Sequence, residues 1–242
     1  MKTIFIKTAD NKFKELEYST RQELVEILKT VNSIIGEKVT IGDNCKIGGN
    51  CFIGNNVEIG EGSFIDNSVI IQRNTFVGNS VEMGYGCVVS SECTIGSNTT
   101  ISKHVTVSES SSIGHGCVIG VYTKIANSVQ IKDNCEIGSA CVIPFGCKIE
   151  SKVSINNKVC LGFRSSIESN TDVKKSIIYK ANAEHPFTFI GNNKVTAGCN
   201  TYDIDFLIQN SESMAKEQNI PEEERLEIIK VLEFFKQINV NE

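Results

Sequence analysis

Three histidines, His104, His115 and His185, and ten cysteines supply most of the nucleophilic, acid–base and metal-binding capacity of this 242-residue chain. One pair stands out by its spacing: in "SSIGHGCVIG", residues 111–120, His115 lies two positions before Cys117. Three chemistries suit such a pair. It could form part of a metal site, supply a thiolate with its base, or present a histidine base beside a cysteine that only packs. The direction in which the surrounding elements turn each side chain decides among them.

Those elements follow a repeat. From Ile35 the chain reads IGEKVT, IGDNCK, IGGNCF, IGNNVE and continues through 24 hexads without an insertion to residue 178. The first position is Ile in 18 hexads and Val, Met or Leu in the other six. A period of six fits a short strand plus a corner, three of which make one turn of a solenoid. Residues 18 apart then lie over one another, and the 144 repeat residues make eight coils about 4.8 Å apart.

The frame assigns a direction to every side chain. Positions one and five point inward, and position five holds Cys45, Cys51, Cys87, Cys93, Cys117, Cys135, Cys141 and Cys147, which read as small buried hydrophobes. Position four sits at a corner that needs a left-handed backbone, and Asn or Gly often stands there, as at Asn44, Gly62, Gly86 and Gly116. His115 is at position three and points outward while Cys117 points in. The two cannot converge on one ion, nor act as nucleophile and base. One outward column, Ile34, Phe52, Ile70 and Val88, forms an apolar stripe that marks an association surface.

The flanks are shorter. Residues 1–18 alternate around "TADNK" as a β-hairpin, and Thr20 with Glu23 forms a capping box for a helix that places Leu24, Ile27, Leu28 and Val31 on one side. At the other end Pro221 opens a helix over about 221–238, with Leu226, Ile229, Leu232 and Phe235 on a common face. The expected organisation is a cap over 1–34, the repeat over 35–178 and a tail over 179–242, in which 179–215 is the least readable part. The net charge of -5 does not suit a nucleic-acid binder, and neither a signal peptide nor a membrane span is expected, which points to a cytoplasmic protein.

The hexads resemble the left-handed parallel β-helix of the hexapeptide-repeat acyltransferases, over about three fifths of the chain. The resemblance implies a mainly β fold of about eight coils, with a short N-terminal α/β cap and a C-terminal helix. It also supplies the hand, since crossovers between parallel strands are otherwise nearly always right-handed. Within the family, "IGHGCVIG" looks like the I-x-H-D-C-x-I-G segment of the sugar acetyltransferases and of the lipid A UDP-N-acetylglucosamine acyltransferase. His115, Cys117, Ile119 and Gly120 match it, while Gly116 replaces the acidic residue.

That match implies acyl transfer from acetyl-CoA or another acyl-CoA to an amino or hydroxyl group of a sugar or nucleotide-sugar. His115 would be the general base, because imidazole titrates near the operating pH. A backbone N–H one coil beyond, at Asp133, would stabilise the oxyanion. Asp133 stands where the family usually has glycine, so orienting His115 is its other possible role. Coenzyme A contacts implied by the family fall at Phe145, Ser151, Lys152, Lys158, Phe163, Arg164 and Lys174, which could equally form a solvated basic surface. A homotrimer with sites between subunits is also implied.

His104, in "ISKHVT", resembles the corner histidine of galactoside and maltose O-acetyltransferases, but Ser102 and Lys103 break that match, and it could simply tolerate the corner. His185 lies beyond the last coil, as a loop residue or as a lining of the donor cleft. No metal is expected: the γ-class carbonic anhydrases of this fold use two histidines five residues apart, and five after His115 stands Gly120. The competing reading is a non-catalytic solenoid scaffold or binding protein.

Overall fold

In the computed structural model, which describes residues 1–8, 10, 12–179, 187–197 and 200–240, the hexads coil into a three-sided prism of parallel sheets. Each side is built from short rungs that pair with rungs 18 residues on. Face one starts at Ile34–Ile35, face two at Thr40–Ile41 and face three at Cys45–Ile47. Corner one joins faces one and two, corner two joins faces two and three, and corner three returns to face one. The expected β-helix of about eight coils is what the chain forms.

The period works because each position solves a separate physical problem. First-position side chains such as Ile47, Ile53 and Ile119 are fully buried along the axis. Every fourth position from Lys38 to Asn170 has a φ between +52 and +71°, including residues without the freedom of Gly or Asn, such as His104, Tyr122 and Arg164. Where the fifth position holds Cys, Ser or Thr, the side chain is a short donor. The Cys117 thiol donates to the Lys132 carbonyl at 3.0 Å, and the Thr99 and Thr123 hydroxyls serve Gly114 and Gly138 in the same way at 2.8 and 2.7 Å. The eight inward cysteines thus act as hydroxyls would, each donating to the carbonyl of a residue 15 positions on.

Both ends of the prism are covered. Lys2–Lys7 and Phe13–Tyr18 form the expected hairpin, and its first strand extends face three by pairing in parallel with Cys45–Ile47. Helix α1, Arg21–Lys29, opens with the capping box of Thr20 and Glu23 and buries Leu24 and Leu28 against the coils, with Ile27 and Val31 packed beside them. Beyond the coils, strands Ile177–Tyr179, Phe187–Gly191, Lys194–Ala197 and Asn200–Asp203 make an antiparallel sheet followed by α2 (Ile204–Gln209), α3 (Ser211–Glu217) and α4 (Glu222–Val240).

This C-terminal unit has its own core of Phe189, Val195, Ile204, Leu207, Ile228, Leu232 and Phe235. It is tied to the last coil through Ile190, which joins the prism core, and through the Ser165 and Thr196 hydroxyls at 2.9 Å. The inward face of α4 is Ile228, Leu232 and Phe235; Leu226, expected inward, is 45% exposed. The neighbours Ile228 and Ile229 allow two helical phases, and the observed one buries Ile228 in the cluster with Phe189 and leaves Ile229 half-buried. Among the described residues no helix is long and apolar enough to cross a membrane.

Candidate active-site corner

His115 lies on corner two of the fifth coil, exposed, between Gly114 and Gly116. Cys117 is fully buried, so the frame separates the two residues as expected. Hydrogen bonding with Cys135 and then burial push the Cys117 thiol well above its ordinary range. Burial raises Cys45 and Cys87 to about 11 and Cys147 to about 12. Thiols held protonated in this way are packing groups and not nucleophiles.

The environment of His115 is a ladder of hydrogen bonds running along the corner. From Asn79 to Asp133, each position-three side chain accepts from the backbone N–H one coil earlier. Asn79 Oδ1 accepts from Glu61 at 2.9 Å, Ser97 Oγ from Asn79 at 3.0 Å, and His115 Nδ1 from Ser97 at 3.0 Å. Asp133 Oδ1 accepts from the His115 N–H at 2.7 Å. Asp133 therefore contacts the backbone of His115, and no hydrogen bond joins it to the imidazole among the described residues. The ladder ends there: the Asp133 N–H has no hydrogen-bond partner among the described residues.

The ladder fixes the histidine tautomer. A backbone N–H can only donate, so Nδ1 is the acceptor and the neutral ring carries its proton on Nε2. The corner thus presents two N–H groups to solvent, His115 Nε2–H and the Asp133 amide. Sequence periodicity places residue 115 over residue 97, but it does not show which atoms meet.

The residues considered for coenzyme A are divided among the three corners. Phe145, Phe163 and Arg164 lie on corner one, where the Arg164 guanidinium is 5.8 Å from the centre of the Phe145 ring. Ser151 and Lys152 lie on corner two, with the Lys152 N–H on the Asp133 carbonyl at 3.0 Å. Lys158 and Lys174 lie on corner three, exposed. Only Ser151 and Lys152 share an edge with His115. His104 is on corner three, between Tyr85 and Tyr122, and His185 lies outside the described residues. Among the described residues no group of three or more His, Cys, Asp or Glu side chains is placed to hold a metal ion.

The unbroken hexads and the positive φ at every fourth position decide the architecture. The chain is a hexapeptide-repeat β-helix. The profile of the GMPPB C-terminal domain family matches residues 30–103 of the β-helix, a segment that ends just before His104. Among solved structures, an Arabidopsis UDP-N-acetylglucosamine acyltransferase is similar at 17% identity and a TM-score of 0.36, over 56% of this chain and 67% of that one. The Francisella novicida UDP-N-acetylglucosamine acyltransferase is similar at 18% identity and a TM-score of 0.38, over 82% of this chain and 76% of that one. A perosamine N-acetyltransferase variant from Caulobacter crescentus, in complex with CoA and GDP-perosamine, is similar at 14% identity and a TM-score of 0.28. Its match covers 54% of this chain and 50% of that one. No curated protein matches the β-helix by sequence.

Proposed function

We propose that this β-helix is an acyl-CoA-dependent acyltransferase, moving an acetyl group to an amino or hydroxyl group of a sugar or nucleotide-linked sugar. The observation that carries the reading is the corner itself. An exposed imidazole, opened by a glycine on each side, stands one coil from an unpartnered backbone N–H. In the reaction His115 takes the proton of the attacking hydroxyl or amine as that atom bonds the thioester carbon. The Asp133 amide donates to the developing oxyanion, and collapse breaks the C–S bond. The leaving thiolate then takes the proton from the imidazolium.

For Nε2 to act as base, the ring must change tautomer and turn Nδ1 off the Ser97 N–H. The released amide lies at an exposed corner where water replaces the ring, so the step costs only about 1 kcal/mol. Exposure of Ile34, Phe52 and Ile70 to 63, 45 and 37% supports self-association of face one into the homotrimer of this proposal. Phe52→Asp is expected to dissociate it in light scattering.

The test of the activity is direct. Acetyl-CoA is expected to raise the melting temperature of the wild type, and a panel of amino sugars and nucleotide-sugars to contain an acceptor whose turnover His115→Ala removes. A wild type that neither binds acyl-CoAs nor consumes them with any acceptor ends this reading. A second reading is favoured by the ladder: His115 there is one acceptor among Asn79, Ser97 and Asp133, as a non-catalytic solenoid would have it.

A further inference from the structure

Corner three carries a stack of aromatic rings that acyl transfer at corner two does not use. Tyr85 meets His104 edge-on at 5.3 Å between ring centres, and His104 lies parallel to Tyr122 at 5.0 Å with 3° between the planes. The stack climbs one coil at a time because fourth-position side chains lean back over the coil before. A Cβ on Gly86 would meet His104 Nδ1 at 2.8 Å, so the imidazole lies over Gly86, and Tyr122 in turn covers His104. The next residue in this column is Ala140, which offers only a methyl group. The Tyr122 side of the stack is therefore left open, and the residue is 62% exposed. Tyr122 is also held at a φ of 61°, a conformation that bulky side chains rarely adopt.

The missing member of the stack has a defined shape and polarity. Neighbouring coils are about 4.8 Å apart, which suits a planar ring inserted over Ala140 in the same offset-stacked arrangement as His104 and Tyr122. One coil further, the exposed Lys158 occupies the same column, with its N–H on the Ser139 carbonyl at 2.8 Å and its side chain in no salt bridge among the described residues. A flat heteroaromatic ring attached to an anionic group fits that order. We propose that corner three binds a nucleotide, its base stacked on Tyr122 over Ala140 and its phosphate met by Lys158. The adenine nucleotide of a coenzyme and the nucleotide of an activated sugar share this chemistry.

The inference goes beyond acyl transfer, and its readout is binding alone, so either reading can fail without the other. The chain contains no tryptophan and Tyr122 is one of five tyrosines, so the share of tyrosine quenching that disappears in Tyr122→Leu reports on this ring during titration of the full chain with ADP, UDP or GDP. Saturable quenching is expected, with inorganic phosphate inert. Preference for ADP would identify a coenzyme, and preference for UDP or GDP an activated sugar. Tyr122→Ala should weaken binding about 5- to 150-fold, the usual effect of removing one stacking partner, when followed by calorimetry. Lys158→Ala should weaken it a few-fold and reduce its dependence on salt. Ala140→Tyr fills the gap with a side chain that this column already accommodates at Tyr122, and should abolish binding. Tyr122→Leu keeps apolar bulk but removes the stacking face, so it should also lose binding if Ala140→Tyr fails to fold. Absence of saturable binding at millimolar nucleotide, or equal binding by wild type, Tyr122→Ala and Ala140→Tyr, would overturn the proposal.

Discussion

Corners two and three each present a histidine, eleven residues apart in the chain, and use it in opposite ways. His115 is at position three, where the side chain meets the N–H of the coil before, and its Nδ1 belongs to the backbone ladder. His104 is at position four, where the side chain leans over the preceding corner, and its ring belongs to an aromatic stack. Residue type alone does not separate them. For these two histidines, position in the hexad separates a ring that offers a polar atom to the backbone from one that offers its flat face to a neighbouring ring.

The largest expected difference between the corners is in catalysis. His115→Ala should lower turnover about 10²- to 10⁴-fold, the usual contribution of a general base, while its melting temperature falls little. His104→Ala should act mainly on stability, through two ring contacts worth about 0.5–1.5 kcal/mol each. Urea denaturation of the two variants beside their steady-state rates measures both effects. Equal loss of stability with unchanged turnover would remove the distinction between the corners.

Next in size is the glycine pair around His115. A Cβ on Gly114 would lie 2.7 Å from both Asp133 N and Lys132 C, backbone atoms of the next coil that cannot move alone. On Gly116 it would meet the Asn134 side-chain oxygen at 2.8 Å, and a side chain can turn away. Gly114→Ala should therefore destabilise by about 2–4 kcal/mol, in the range of overpacked cores. Gly116→Ala should cost about 1 kcal/mol, the left-handed penalty at a φ of +65°. Thermal melts that rank them in the reverse order would show that the corner backbone is softer than its contacts imply.

The thiols beneath both corners give a dependence on pH. Burial raises Cys45 and Cys87 to about 11 from an ordinary 9.0, so above pH 9 the unfolded chain loses protons that the folded chain keeps. Stability should be insensitive to these groups below pH 9. Above it, stability should fall by up to about 1.4 kcal/mol per pH unit for each thiol until the folded pKa is reached. Cys87→Ser keeps a short donor without the titration and should flatten the slope between pH 9 and 11. An unchanged slope would show that Cys87 ionises with the chain folded.

The hexad period made the coils, the inward cysteines and the outward His115 legible, because one repeating frame fixes side-chain direction. What it could not give was contact between particular atoms. That Nδ1 of His115 faces the Ser97 amide depends on a side-chain torsion, and the ring stack at corner three hides because Tyr85 stands 19 residues before His104 and not 18. The C-terminal unit was opaque for a different reason. Its strands are held by pairing with one another and by Phe189 against Phe235, contacts with no period to reveal them.

The smallest expected effect tells most about His115. Asn79, two coils earlier on the same corner, accepts the Glu61 N–H through Oδ1 at 2.9 Å, so asparagine fits this rung. His115→Asn should keep the Ser97 N–H partnered and recover the roughly 1 kcal/mol of stability that His115→Ala loses with its hydrogen bond. It should recover none of the turnover, since an amide cannot take a proton near neutral pH. Stability restored without activity assigns the imidazole to chemistry and its Nδ1 contact to rest. Should the two variants melt alike, the Ser97 contact contributes nothing, and the ladder no longer argues for a purely structural histidine.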